Sequence, residues 1–207
     1  MASTKERILA SAIRVLDAGG PSAVTLCAIG EATGISTAAL YHHYENKRCL
    51  LEAVVRANLD SFNADLQRAK RDAASPFGAL AYLMRANFDF ARRFPFRYRL
   101  LLGASREDSP LGAEVRQAFG AVTDLVRAAQ QAGEIKDGDA KHISALIFGA
   151  AYGMADLAVS NREGVAPDLA PLLLDLLLAG REKPGNASAR PSLAAIATPL
   201  APNLEVT

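Results

Sequence analysis

Apolar residues recur along this chain at three- and four-residue intervals, while strict alternation is nearly absent. That pattern predicts amphipathic helices from end to end. Ile8, Leu9, Ala12, Ile13 and Leu16 fall on one stripe, behind Ser3 and Glu6 at capping-box spacing. Gly19-Gly20-Pro21 is expected to end that first helix. Thr25 then caps a short helix over 26–33 that carries Leu26 and Ile29 inward. Gly34 permits a tight turn, and Ser36 caps a third short helix running to Tyr44. Asn46 caps a fourth, long helix with Leu50, Leu51, Val54, Val55, Leu59, Phe62 and Leu66 on its apolar stripe.

Beyond the polar run 70–76 the pattern resumes. Ser75-Pro76 is a good helix start, with proline in the first helical position. That helix runs to about Arg93, where Phe94-Pro95-Phe96 breaks it. A short segment follows through Leu102 to Gly103. Ser109-Pro110 starts another helix that runs to Ala132 and stops at Gly133, and 134–139 is turn-like. Helices are expected again over about 140–160 and 168–179. Residues 181–207 hold Pro184, Pro191, Pro199 and Pro202 among many alanines and serines, the composition of a disordered tail. The fold class read from this pattern is all-α. It divides into an N-terminal unit over 1–48, a larger helical unit over 49–180, and the tail over 181–207.

Composition narrows the class further. Half of the chain is hydrophobic, enough for a real core. Lysine and arginine total 23 against 22 aspartate and glutamate, a formal net charge of +1. That balance excludes a protein coated in positive charge, so any nucleic-acid contact must come from a local patch. Cys27 and Cys49 make no disulfide framework and read as small buried hydrophobes. We find no apolar run approaching the roughly 18–20 residues of a membrane span. The N-terminus opens into an amphipathic pattern with no secretory apolar region, so a soluble, cytoplasmic protein is expected.

The first helices have the long, short, turn, short order of a helix-turn-helix unit. Thr25, the turn Ala32-x-Gly34, and Leu40-Tyr41-x-His43-Tyr44-x-x-Lys47 together resemble the DNA-binding domain of the TetR family of transcriptional regulators. The resemblance covers about residues 5–55; most members carry phenylalanine at the Tyr44 position. The physics of the residues runs the same way. Thr25 and Ser36 start helices, where hydroxyls and backbone N–H groups can meet phosphate. A helix in the major groove presents its first residues to base edges, here Ser36, Thr37 and Ala38. Thr37 can hydrogen-bond a base, and its methyl or that of Ala38 can touch a thymine. Tyr41 lies one turn on and reaches a phosphate or a base, while Lys47 would clamp a backbone phosphate. Leu40 and Tyr44 share a face, assigned to the small core with Ile8, Ala12, Leu26 and Ile29. His42 then points outward. His43 either joins the DNA face or packs as a brace. Adjacent helical histidines do not face each other, so no metal site is expected there. Residues 1–48 hold Lys5, Arg7, Arg14, Lys47 and Arg48 against Glu6, Asp17, Glu31 and Glu45. One such weakly basic unit binds DNA poorly, and two on a symmetric dimer would favour a palindromic operator.

The second unit is where an effector is expected. Phe77, Tyr82, Phe88, Phe90, Phe94, Phe96 and Tyr98 crowd one stretch and either form ordinary core or line an apolar ligand cavity. The candidate ligand-binding residues are Phe62, Tyr82, Phe88, Tyr98, Phe119 and Tyr152, and the effector is expected to be a small, apolar molecule. Arg85, Arg92, Arg93, Arg97 and Arg99 share the same stretch with Asp89 and read as a solvated face rather than an anion site. The stretch Phe88-x-Phe90-Ala91-x-x-Phe94-Pro95-x-x-Tyr98-Arg99-Leu100 resembles the WHG subtype of the family, with Phe148 at the tryptophan position and Tyr152-Gly153 at the histidine-glycine pair. The helices near 140–160 and 168–179 are too apolar to be left in water, and in the family such a pair builds a four-helix homodimer interface.

Together these readings predict a one-component regulator that binds a double-stranded DNA operator as a homodimer, a repressor released by a small molecule. No cofactor is implied. An enzyme is not expected, because no nucleophile–base pair, metal-ligand spacing or glycine-rich phosphate loop is found. The rival reading is a helical interaction protein of the same fold that has lost operator binding.

Overall fold

The computed structural model describes residues 3–106, 109–160 and 169–178, and every regular element in them is a helix. Helix α1 (Thr4–Ala23) opens on the expected capping box: Ser3 Oγ accepts from the Glu6 N–H, and the Glu6 carboxylate accepts from the Ser3 N–H. Gly20 adopts φ 73°, a conformation that suits a residue without Cβ. Pro21 then leads one further turn, so the expected stop is a kink. Helices α2 (Leu26–Thr33) and α3 (Thr37–His43) start at Thr25 and Ser36 and join through Gly34 at φ 68°. Helix α4 (Lys47–Asp72) starts at Asn46. Ile8, Ala12, Leu16, Ile29, Leu40 and Tyr44 close a small core with Leu50 and Val54 of α4, and Leu26 packs half-buried at its edge. The rest of α4 serves other clusters, so this one helix belongs to both units.

Helix α5 (Pro76–Arg93) runs through the middle of the second unit and packs against α4, α7 (Gly112–Gln131), α8 (Ala140–Val159) and α9 (Leu169–Leu178). Helix α6 (Pro95–Gly103) packs against α8 on one side and against α1 and α4 on the other. The expected start of α7 at Ser109-Pro110 lies two residues too early. There Ser109 Oγ accepts from the Leu111 N–H in a turn, and the regular helix begins after Leu111. Asp139 caps α8 by accepting from the Lys141 and His142 N–H groups.

Two expectations are corrected. Cys27 is exposed and Cys49 only half-buried. Cys27 sits two residues before the buried Ile29, about 200° around α2, so it faces away from the core. Helix α8 also carries the long apolar run that seemed absent, with mean hydropathy 1.4 over 18 residues. Length and composition alone therefore do not separate it from a membrane span, but it packs along α5, α6 and α7. The expected tail over 181–207 lies outside the described residues.

Candidate functional site

Helix α3 buries Leu40 alone and hands Tyr44 to the core at its end. Apart from the half-buried Ala39 the rest of it is turned outward: Thr37, Ala38, Tyr41, His42 and His43 are all exposed, as are the cap residues Thr25 and Ser36. Tyr41 is 55% exposed, unusual for so large a ring without a partner. The bracing alternative for His43 is thereby removed. Thr25 Oγ1 accepts from the Ala28 N–H at 3.1 Å, and Ser36 Oγ accepts from the Ala39 N–H at 3.2 Å. Each hydroxyl keeps its proton free to donate to a phosphate. The Lys47 ammonium donates to the Pro21 carbonyl, tying the start of α4 to the kink in α1 while two of its N–H bonds stay open. Arg7 donates to the Thr33 carbonyl at 3.0 Å and steadies the end of α2. Among the described residues no group of His, Cys, Asp or Glu is arranged to hold a metal ion.

The six aromatic ligand candidates are not gathered in one place. Phe62 meets Phe119 edge-on at 6.1 Å, and Phe119 stacks on Phe148 at 4.3 Å. Phe62 also lines a void of about 30 Å³ between α4, α5 and α6, together with Asn58, Ser61, Asp65, Asn87 and Phe90. Tyr98 lies 6.1 Å from Phe90 and is 1% exposed. The Tyr82 hydroxyl donates to Asp65 Oδ1 at 3.4 Å. Phe88 is sealed in the main core, two residues from Phe90 and so on the opposite side of α5. Tyr152 is 40% exposed and borders a separate, open cleft of about 950 Å³ between α4, α6 and the approach to α7.

The polar members of the void went unseen in the sequence. Asn58 and Asn87 are 6% and 9% exposed, and among the described residues their Nδ2 atoms have no hydrogen-bond partner; Tyr98 lies behind Asn87, outside the lining of the void. Burial pushes the Tyr98 phenol far above its ordinary range, with the neighbouring Asn87 offsetting part of it. Burial also pushes the Asp65 carboxyl up, against the pull of Arg68 at 3.9 Å and of Tyr82. In isolation each of these polar residues looks like part of a solvated helix face.

The expected solvated arginine face needs one correction. Arg92 and Arg93 are exposed, but Arg97 is 4% exposed. Its Nε donates to Asp17 Oδ1 at 2.9 Å, and its guanidinium lies 3.7 Å from the Phe94 ring centroid and 5.7 Å from that of Phe90. Beside it the Phe96 ring rests on Gly20, where an added Cβ would sit 2.8 Å from the ring. Helix α6 is thus the strut between the second unit and α1. Leu146, Tyr152 and Leu157 of α8 and Leu172 and Leu176 of α9 are exposed large apolar residues.

Residues 8–54 match the bacterial regulatory proteins of the tetR family, and residues 80–179 match the tetracyclin repressor-like C-terminal domain, a description that does not name the WHG subtype. The two matches take in well over half of the chain. The HTH-type transcriptional regulator RutR of Escherichia coli is 24% identical over 163 residues, 76% of each chain. Among solved structures, the transcriptional regulator FadR of Bacillus subtilis in complex with stearoyl-CoA superposes with a TM-score of 0.66 at 19% identity, covering 84% of this chain and 97% of that one. The TetR family regulator PfmR of Thermus thermophilus gives 0.66 at 22% identity, covering 83% and 97%.

Proposed function

The chain belongs to the TetR family of bacterial regulatory proteins, and from that premise we propose that it is a ligand-responsive transcriptional repressor acting as a homodimer on a palindromic operator. The observation that carries this reading is the presentation of α3. A helix held by Leu40 and Tyr44 offers Thr37, Ala38 and Tyr41 from a capped N-terminus. In the major groove Thr37 and Ala38 meet base edges, and Tyr41 reaches a base or a phosphate. The hydroxyls of Thr25 and Ser36 and the ammonium of Lys47 meet phosphate, while His42 and His43 flank the groove.

In this reading a small molecule enters the second unit between α4, α5 and α6. Helix α4 runs from Lys47 at the DNA face to Asp65 at the void, so a shift at one end is felt at the other. Two recognition helices must sit roughly 34–36 Å apart to fit one DNA turn. A ligand that favours another spacing opposes DNA by linkage, and DNA opposes the ligand equally. The exposed leucines of α8 and α9 support pairing of two copies through those helices. That relatives bear regulator names, and that one fold neighbour was solved with a bound acyl-CoA, supports the same reading.

The experiment is titration of the protein onto the DNA upstream of its own gene at two salt concentrations, with Tyr41→Ala and Lys47→Ala beside the wild type. Saturable, sequence-specific binding is expected, weakened in both variants. Lys47→Ala should also lower the salt slope by about one counterion. Binding that is absent, or indifferent to both substitutions, moves the helical interaction protein to the front.

A further inference from the structure

We propose that the effector is a neutral amphipathic molecule, an apolar body bearing one uncharged oxygen group such as a hydroxyl or carbonyl, and that Asn58 and Asn87 read that group. The inference rests on the ligand-responsive reading above and names the chemistry of its ligand. Two carboxamides on facing helices reach the same small void, each at least nine-tenths buried, with no partner for either Nδ2. The Tyr98 hydroxyl on α6 lies against Asn87, behind the lining of the void. Leaving one buried donor unsatisfied destabilises a fold, and two facing one void are a site waiting for a polar group.

The charge around the void selects among polar groups. Among the described residues no lysine or arginine lines it, whereas Asp65 does, and Arg68 at 3.9 Å is already paired with Asp65. A carboxylate or phosphate would lose its hydration beside a carboxyl group and gain no unpaired cation. A hydroxyl or carbonyl loses little, because a carboxamide both donates and accepts.

The void, about 30 Å³, holds water and nothing larger. An effector therefore enters by displacing the half-buried walls Phe62 and Phe90. Phe90 also lies 5.7 Å from the Arg97 guanidinium, which holds Asp17 of α1. Opening the void thus bears directly on the strut to the DNA-binding unit.

The test is thermal unfolding of the full chain with octanol, octanoate or neither, in the wild type, Asn58→Leu and the smaller Asn87→Ser. Octanol at about tenfold above its dissociation constant should raise the wild-type Tm by about 3–5 °C. Octanoate should not, and the octanol gain should vanish in both variants. The proposal is overturned if octanoate stabilises as well as octanol, if the octanol gain survives in both variants, or if neither probe moves the wild-type Tm. The salt-dependent DNA titration, run on the same preparation, keeps the two readings apart. If operator binding persists while the probes fail, only the ligand class falls; if operator binding is itself absent, the regulator reading falls.

Discussion

Arg97 on α6 and Asp17 on α1 form a hydrogen-bonded ion pair at 2.9 Å, with the guanidinium side chain 5% exposed and the carboxylate side chain 26% exposed. Burial works against both charges, raising the pKa of Asp17 and lowering that of Arg97, while each partner restores the charge of the other. Such a pair is weak evidence of net stability, but removing one member leaves an uncompensated charge. Arg97→Met should therefore cost about 2–4 kcal/mol, below the top of the range for buried pairs because Asp17 can still find water. Adding Asp17→Leu should recover most of that loss. A double-mutant cycle by urea unfolding checks it. The double variant should still bind operator but respond less to effector, since the link from Phe90 to α1 is gone.

The two kinked turns offer a paired comparison. Gly34 sits at φ 68° with nothing within 4 Å of an added Cβ, whereas Gly20 sits at φ 73° with the Phe96 ring 2.8 Å away. Gly34→Ala should cost about 1–2 kcal/mol, the left-handed penalty alone. Gly20→Ala pays that and must also push Phe96 off α1, so it should cost at least about 1 kcal/mol more. Thermal unfolding of both variants reads the difference. Equal losses would mean that Phe96 swings aside freely and that α6 is held to α1 by Arg97.

What was legible in the sequence is what is decided within four residues. Ser3, Thr25, Ser36, Asn46 and Ser75 each accept from the N–H three residues on, as their positions before apolar stripes implied. The outward face of α3 follows from the spacing of Leu40 and Tyr44 in the same way. Asn58, Asn87 and Arg97 were illegible, because a polar residue between apolar ones reads as solvated until another helix covers it. What covers them is the crossing of α4, α5 and α6 and the approach of α6 to α1, contacts between residues far apart in sequence. Cys27 failed in the opposite sense. A small apolar residue near a buried position was assigned to the core, although its place on α2 points it to water.

Asp65 should make stability depend on pH. Burial holds its folded pKa above the ordinary value of 3.8, so the folded state binds its proton more tightly than the unfolded chain does. Its contribution is therefore fully present below the unfolded value and is lost as pH rises through the folded one. Asp65→Asn does not titrate. The variant should gain on the wild type as pH rises through that window, hold its advantage at neutral pH, and lose it below the ordinary carboxylate range. Melting curves across acid to neutral pH test this. An advantage of the wild type at neutral pH would mean that Arg68 and Tyr82 outweigh the cost of burial.

The outer faces of α8 and α9 carry the last prediction. Leu146 and Leu172 are 55% and 56% exposed in the single chain, and Leu176 matches them at 56%. Large apolar residues left exposed on α8 and α9 lower their free energy by meeting a second copy, and a two-fold axis lets the same faces serve both sides. Leu146→Glu combined with Leu172→Glu places charges on both faces. Because neither side chain belongs to the core of the single chain, the variant should keep its helix content and most of its thermal stability. It should sediment as a monomer where the wild type sediments as a dimer. Operator affinity should fall by at least about 100-fold, since each monomer then holds one half-site and the gain from linking two is lost. A variant that stays dimeric would place the interface elsewhere; one that becomes monomeric yet binds operator undiminished would show that a single α3 suffices.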